Sequence, residues 1–190
     1  MAATTMETKD YSVMSADLEK RELESPGGIA TPQTYGQLLA IYLFQNDLPN
    51  AKLLWKRIPQ GVKEANPELG QIWIVGQKLW NRDFPELYKS LDVEWPEHIL
   101  PIMKALMEST RTRALHLAAK AYSSISIEDA SLFLGLPPDK TIEEAVAFGW
   151  TNDRNQHLIM PKKPDVPTDG VAPSEEQLAK LTDFVVFLEN

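Results

Sequence analysis

The residues that could carry chemistry in this sequence are few and widely separated. Its histidines, His98, His116 and His157, form no HExxH or HxH pattern, so the sequence predicts no hydrolytic metal site. The acidic pairs 143–144 and 175–176 are adjacent in sequence, and adjacent side chains on a helix point about 100° apart. Such pairs indicate solvated helix faces rather than the facing carboxylates that acid–base catalysis requires.

Other catalytic and ligand-binding patterns are also missing. The sequence contains no cysteine, which excludes disulfides, thiolate zinc sites and a cysteine nucleophile. It contains no GxSxG, GxGxxG or GxxxxGK motif, so the paired glycines of SPGGIATP (25–32) predict a turn rather than a phosphate site. His116 lies within a predicted helix and favours a structural role. We therefore predict a protein that is not an enzyme and holds no cofactor or metal.

The composition is that of an ordinary soluble protein. In 190 residues, 43% are hydrophobic and 24% charged, which is enough for a substantial core. The net charge of −8 argues against general affinity for nucleic acids or anionic membranes. The amino terminus lacks the pattern of a signal peptide, and the longest apolar run, Leu38–Phe44, is too short to span a membrane. We expect a protein of the cytoplasm and nucleus.

An internal repeat organises the first half of the chain. Leu38–Trp55 and Ile74–Leu91 align without gaps at an offset of 36 residues. Each copy predicts a helix, a tight turn and a second helix, with an aspartate (Asp47 or Asp83) capping the second helix. Paired helices at this period are typical of tetratricopeptide-like (TPR-like) arrays. A further helix is predicted between residues 95 and 125.

Residues 111–161 predict a different unit, made of a helix, a short strand, two more helices and two strands. Ser126 and Asp129 have the spacing of a capping box, with Asp replacing the usual Glu or Gln. Gly135 ends the helix that they begin, and a second helix covers Pro138–Phe148. This order of elements is typical of a winged-helix domain.

The charge of the second of those helices bears on what the unit binds. This helix carries three acidic residues, Asp139, Glu143 and Glu144, and one basic residue, Lys140. Proteins that bind duplex DNA draw most of their affinity from lysines and arginines that neutralise phosphates. We therefore predict protein binding, with a winged-helix nucleic-acid binder as the alternative from a different class.

The last segment predicts a helix over residues 174–190, after a proline-containing linker at 162–173. Its apolar side chains extend beyond one stripe, and they are Leu178, Leu181, Phe184, Val185, Val186, Phe187 and Leu188. A helix that is apolar on all sides is normally buried on all sides. We predict that it enters a bundle with helices of other chains, and the alternative is packing on its own domain.

The arginines near residue 111 and the tryptophans also have predicted locations. We expect Arg111 and Arg113 to lie on a solvated surface, with pairing to a partner's acids as the alternative. The five tryptophans are expected to serve packing rather than to stack bases, and they are Trp55, Trp73, Trp80, Trp95 and Trp150.

A helical repeat that continues into an acidic winged helix resembles the PCI-domain family. Its members are subunits of the proteasome lid, the signalosome and an initiation-factor complex. Three stretches look closely like signalosome members: Ser25–Pro59, Gly70–Tyr88 and Glu175–Asn190. With the winged helix, the resemblance covers nearly everything from about residue 20 onwards.

The resemblance implies a non-catalytic scaffold subunit of the complex that removes the Nedd modifier from cullin-RING ubiquitin ligases. PCI subunits join edge strand to edge strand, and their carboxy-terminal helices gather in one bundle. That arrangement implies a neighbour, expected to be the third signalosome subunit, near Trp150, His157, Leu158, Ile159 and Met160. The equivalent small subunit of the proteasome lid or of the initiation-factor complex is the alternative within the same class.

The predicted architecture is therefore mostly α: TPR-like helical repeats, a winged-helix subdomain that completes a PCI domain, and a C-terminal bundle helix. Its divisions are a disordered segment at 1–9, the helical repeats at 10–110, the winged helix at 111–161, the linker at 162–173 and the bundle helix at 174–190.

Overall fold

The computed structural model describes residues 2–153, 157–163 and 174–189, and it describes side chains at 11–153, 157–163 and 178–186. These residues form helices and three short strands in the order α1 (Ala2–Leu23), α2 (Pro32–Phe44), α3 (Leu48–Arg57), α4 (Gln60–Ala65), α5 (Pro67–Asn81), α6 (Phe84–Leu91), α7 (Leu100–Ala121), β1 (Ile125–Ser126), α8 (Ile127–Leu134), α9 (Pro138–Ala147), β2 (Thr151–Asp153), β3 (Leu158–Met160) and α10 (Ser174–Glu189). The described chain is mostly helical with one small sheet.

Helix α1 begins earlier than the sequence predicted. We expected disorder over residues 1–9, but the helix starts at Ala2, and no glycine or proline interrupts residues 2–10. Farther along, Leu18 is buried and Tyr11 packs edge to face against Phe44, with ring centroids 4.9 Å apart. Helix α1 thus covers the end of α2.

The two copies of the repeat have matching turns. Asp47 accepts a hydrogen bond from the Asn50 amide at 3.2 Å, and Asp83 accepts one from the Glu86 amide at 3.4 Å. The residue before each aspartate is left-handed, with φ of 60° at Asn46 and 55° at Arg82. The predicted caps are therefore confirmed, and the same backbone conformation recurs 36 residues later.

Helix α7 joins the two halves of the core. Ile102, Met103 and Leu106 at its beginning pack with the helical repeats, whereas Leu115 and Ala119 near its end pack with the sheet. The helix is unbroken between these two groups. The helical repeats and the part of the core around the sheet are therefore joined by one continuous helix, without a linker.

The second part of the core surrounds a three-stranded antiparallel sheet with the order β1-β3-β2. The Ser126 hydroxyl accepts from the Asp129 amide at 3.0 Å and donates to the Asp129 carboxylate at 2.7 Å, which confirms Ser126 as the residue that caps α8. Gly135 ends α8 in the left-handed region with a φ of 61°. Strand β1 has only two residues, because Ile127 already belongs to α8.

Candidate protein-interaction site

Helix α10 presents apolar side chains to solvent. Leu178 and Leu181 are each 61% exposed and Phe184 is 66% exposed, while Val185 and Val186 are also exposed. Helix α10 is not among the elements that pack closely together in the described part of the chain. The side chains of Phe187 and Leu188 lie outside the described residues. The described face of this helix is therefore an apolar surface that is largely exposed among the residues the structure describes.

The sheet places two predicted interface residues in the core. Trp150 is 4% exposed and Ile159 is fully buried, and both pack in the cluster beneath the sheet. These two side chains therefore belong to the core, and the expectation of a neighbouring subunit near them stays a prediction. His157 and Met160 are exposed and Leu158 is half-buried, so three predicted residues remain at the surface.

Strand β3 lies in the centre of the sheet, whereas the resemblance implied that it would be an edge strand. Ile159 pairs with Ile125 of β1 on one side and with Asn152 of β2 on the other. Since both neighbours already bond to β3, a strand added from another chain would have to pair with β1 or β2. Sequence spacing could not show this, because the order of strands is set by pairings between distant segments.

Helix α9 carries the acidic surface that its sequence predicted. Asp139, Lys140, Glu143 and Glu144 are all exposed, whereas Thr141 and Ala145 of the same helix are buried. A groove with a volume of about 880 Å³ separates its amino end from the sheet, and Glu128 and Asp139 are among the residues that line it. This side of the molecule is poorly suited to phosphates.

Arg111 and Arg113 are half-buried, in contrast to the expectation of a solvated surface. The Arg111 Nε donates to the Leu134 carbonyl at 3.3 Å, and its guanidinium lies 5.7 Å from the centre of the Tyr88 ring. Burial raises the pKa of Tyr88 to about 12, although the two arginine charges oppose that rise. Burial lowers the pKa of Arg113. Arg111 thus holds α7, α8 and α6 together.

The prediction that the tryptophans serve packing is confirmed for four of them, but Trp80 is largely exposed. Trp95 and Trp150 are buried, and Trp55 and Trp73 stack in parallel at 5.5 Å. Trp80, however, is 53% exposed, and the Lys52 ammonium lies 4.8 Å from the centre of its ring. The exposure of Trp80 could not be predicted from its position in the repeat, because the aligned residue, Phe44, is buried.

Neither a metal centre nor a membrane span is found where the structure describes the chain. Among those residues, no three His, Asp or Glu side chains lie close enough together to hold an ion. No described helix combines the length and apolar character needed to cross a bilayer.

A sequence model described as the CSN8/PSMD8/EIF3K family matches residues 29–169, which extend from the start of α2 to beyond the sheet. The chain belongs to the CSN8/PSMD8/EIF3K family. The match covers both repeats and the sheet, and it ends before α10. The mostly helical architecture with a small sheet is consistent with a PCI-type family.

Several relatives of this CSN8/PSMD8/EIF3K family chain carry one name. It is 55% identical over 173 residues to the COP9 signalosome complex subunit 8 of Danio rerio, covering 90% of this chain and 91% of the relative. The protein of that name from Xenopus tropicalis is 49% identical over 181 residues, covering 95% and 94%. The one from Arabidopsis thaliana is 34% identical over 150 residues, covering 78% and 76%. The resemblance to signalosome subunits is confirmed.

Proposed function

We propose that this chain is a scaffold subunit of the signalosome and contributes no catalytic group to it. The names of its relatives support membership of that complex. The complex would remove the Nedd modifier from cullin-RING ubiquitin ligases, in the cytoplasm and nucleus. In this proposal α1–α7 form the TPR-like part of a PCI domain, and the end of α7 with α8, α9 and the sheet forms its winged helix.

The observation that carries the proposal is the exposed apolar face of α10. Leaving side chains such as Leu181 and Phe184 in water forfeits roughly 1.5 to 3 kcal/mol each relative to burial. A helix with this composition gains that free energy when other helices cover it. A bundle formed with helices of other subunits therefore fits α10 better than solvent does.

The sheet supplies a second contact in the proposal. A strand of the third signalosome subunit would extend the sheet at β1 or β2, where backbone hydrogen bonds set the register. The exposed acids of α9, which include Glu143 and Glu144, oppose phosphate binding and so favour a protein neighbour. The same acids weigh against the nucleic-acid alternative.

Exchange of Leu181 and Phe184 for aspartate tests the bundle directly. We expect this double variant, tagged and expressed in cells, to fold normally but to recover less than about a tenth of the other signalosome subunits that the unchanged chain recovers. Two charges cannot be buried in an apolar bundle without a large desolvation cost. Co-purification followed by mass spectrometry gives the readout.

A matched control carries aspartate at Leu23 and Leu53, two leucines that are also exposed but lie on α1 and α3. That control should recover the other subunits normally. Normal recovery by the Leu181 and Phe184 variant would show that α10 does not join a bundle. Recovery of proteasome-lid or initiation-factor subunits in place of signalosome subunits would contradict the assignment to this complex.

A further inference from the structure

A second surface, distant in sequence from α10, combines aromatic and cationic side chains. Two depressions with volumes of about 300 and 480 Å³ adjoin each other, because Leu48 and Trp80 line both of them. We call the pair the Trp80 groove. Its cationic residues are Lys52, Arg82 and Arg113, and no acidic residue lines either depression. On a chain with a net charge of −8, this is an unusual local excess of positive groups.

The cations of the groove are not neutralised within the described residues. Lys52 faces the Trp80 ring, and no carboxylate is close enough to pair with it. Arg113 donates to the Ser109 carbonyl and the Thr110 hydroxyl, each at 3.3 Å, and neither acceptor carries a charge. A guanidinium that is partly desolvated and lacks a counter-charge gains free energy when a carboxylate approaches it.

The first copy of the repeat shows how a crossing helix can cover the position that Trp80 occupies in the second copy. Trp80 occupies the position that Phe44 occupies in the first copy, 36 residues earlier. Phe44 is 6% exposed because α1 crosses the first copy and places Tyr11 against its ring. No described element crosses the second copy in that way, and Trp80 stays 53% exposed. Among the described residues, the second copy therefore leaves exposed the surface that α1 covers in the first copy.

We propose that the Trp80 groove binds an acidic segment of a partner protein. An apolar side chain of that segment would pack against Trp80 and Leu117, and its carboxylates would pair with Lys52, Arg82 and Arg113. The two depressions have the size of pockets for single side chains rather than of a long channel. A long polyanion such as RNA would also meet the negative charge of the rest of the chain, so a short acidic protein segment is favoured. This proposal does not rest on the signalosome assignment.

A direct binding measurement tests the proposal with the full-length chain. The probe is a fluorescein-labelled peptide of about a dozen residues, with glutamates and aspartates on both sides of a central Phe-Leu pair. We expect saturable binding, measured by fluorescence anisotropy, that weakens as salt is added because the rim charges are screened. A peptide with lysines in place of the acids should bind at least about tenfold more weakly.

Two variants with matched controls locate the binding site. Trp80→Ala should weaken peptide binding about tenfold, since exposed aromatic anchors dominate such contacts. Lys52→Glu should weaken it about fivefold or more through charge repulsion. The controls are Ile74→Ala, another exposed apolar residue of α5, and Lys104→Glu, an exposed lysine of α7 that lines neither depression. Both controls should bind within about twofold of the unchanged chain.

Several outcomes would overturn the proposal. Equal binding of the acidic and basic peptides, or unchanged binding by both groove variants, would show that the groove does not select acidic segments. Tighter binding of a single-stranded oligonucleotide of equal charge would assign the surface to nucleic acid. Sedimentation of the chain as a dimer that Trp80→Ala dissociates would make a second copy, rather than a partner, the occupant.

Discussion

Gly135 and Tyr88 meet at the contact between the helical repeats and the sheet. Gly135 ends α8 with a φ of 61°, and a Cβ added there would overlap Cγ and Cδ2 of the Tyr88 ring. The ring has little room to move, because its hydroxyl donates to the Phe133 carbonyl at 3.1 Å and Arg111 lies over its face. One glycine therefore satisfies two separate requirements, a left-handed backbone and a close approach between helices.

Gly135→Ala should lower the free energy of unfolding by about 3 kcal/mol or more. The left-handed backbone costs about 1 to 2 kcal/mol for an L residue, and displacing the Tyr88 ring adds an overpacking cost. Urea denaturation followed by circular dichroism measures the change. Gly149→Ala is the matched control, because its φ is 86° but nothing lies within 4 Å of an added Cβ. Equal losses at the two positions would contradict the role assigned to Tyr88.

At the scale of the element, the two repeat turns show how local chemistry sets a helix start. Each aspartate caps its helix, a proline lies in the first turn, and the preceding left-handed residue reverses the chain. In both copies the aspartate amide also donates to a carbonyl of the preceding helix, at Tyr42 in one and Lys78 in the other. The turn is thus one structural unit used twice.

Asp47→Ala and Asp83→Ala should each lower the free energy of unfolding by about 1 kcal/mol, because each leaves a helix amide without its acceptor. The double variant should show a nearly additive loss, since the turns belong to different helix pairs. Asp47→Asn serves as the control, because asparagine caps about as well as aspartate. A loss with asparagine as large as that with alanine would show that charge, rather than capping, stabilises the turn.

Local signals explain which elements could be predicted from the sequence. The caps at Asp47, Asp83 and Ser126 and the stop at Gly135 depend on a few neighbouring residues, so their chemistry is readable without the fold. The position of β3 between β1 and β2 depends on pairing across more than thirty residues, which no local pattern encodes. The exposure of Trp80 depends in the same way on which distant segment covers it.

At the scale of the molecule, the residues of the candidate site divide into predictable and unpredictable ones. The exposed face of α10 was predictable because its apolar residues exceed what one docking face can bury. The burial of Ile159 was not, because alternation along a three-residue strand does not tell which side the core occupies. Acidic α9, apolar α10 and the Trp80 groove give the molecule three chemically different surfaces.

Removal of residues 174–190 should leave the stability of the rest of the chain nearly unchanged. The described side chains of α10 are exposed, so their loss removes little buried area. We expect the midpoint of thermal unfolding to move by less than about 2 °C, measured by calorimetry. A decrease of more than about 5 °C would show that α10 packs on its own domain, the alternative that the sequence left open.

The strand order has a consequence for how the chain is made. Strands β1 and β2 bond to β3 and not to each other, although β3 is the last of the three to be synthesised. Until residues 158–160 are available, Ile125 has no strand partner and the cluster under the sheet lacks Ile159. A truncated chain that ends between β2 and β3 would therefore contain the sequence of the helical repeats but leave β1 and β2 without a strand partner. Unpaired strand edges of this kind are features by which cellular quality control can distinguish a truncated chain from the finished protein.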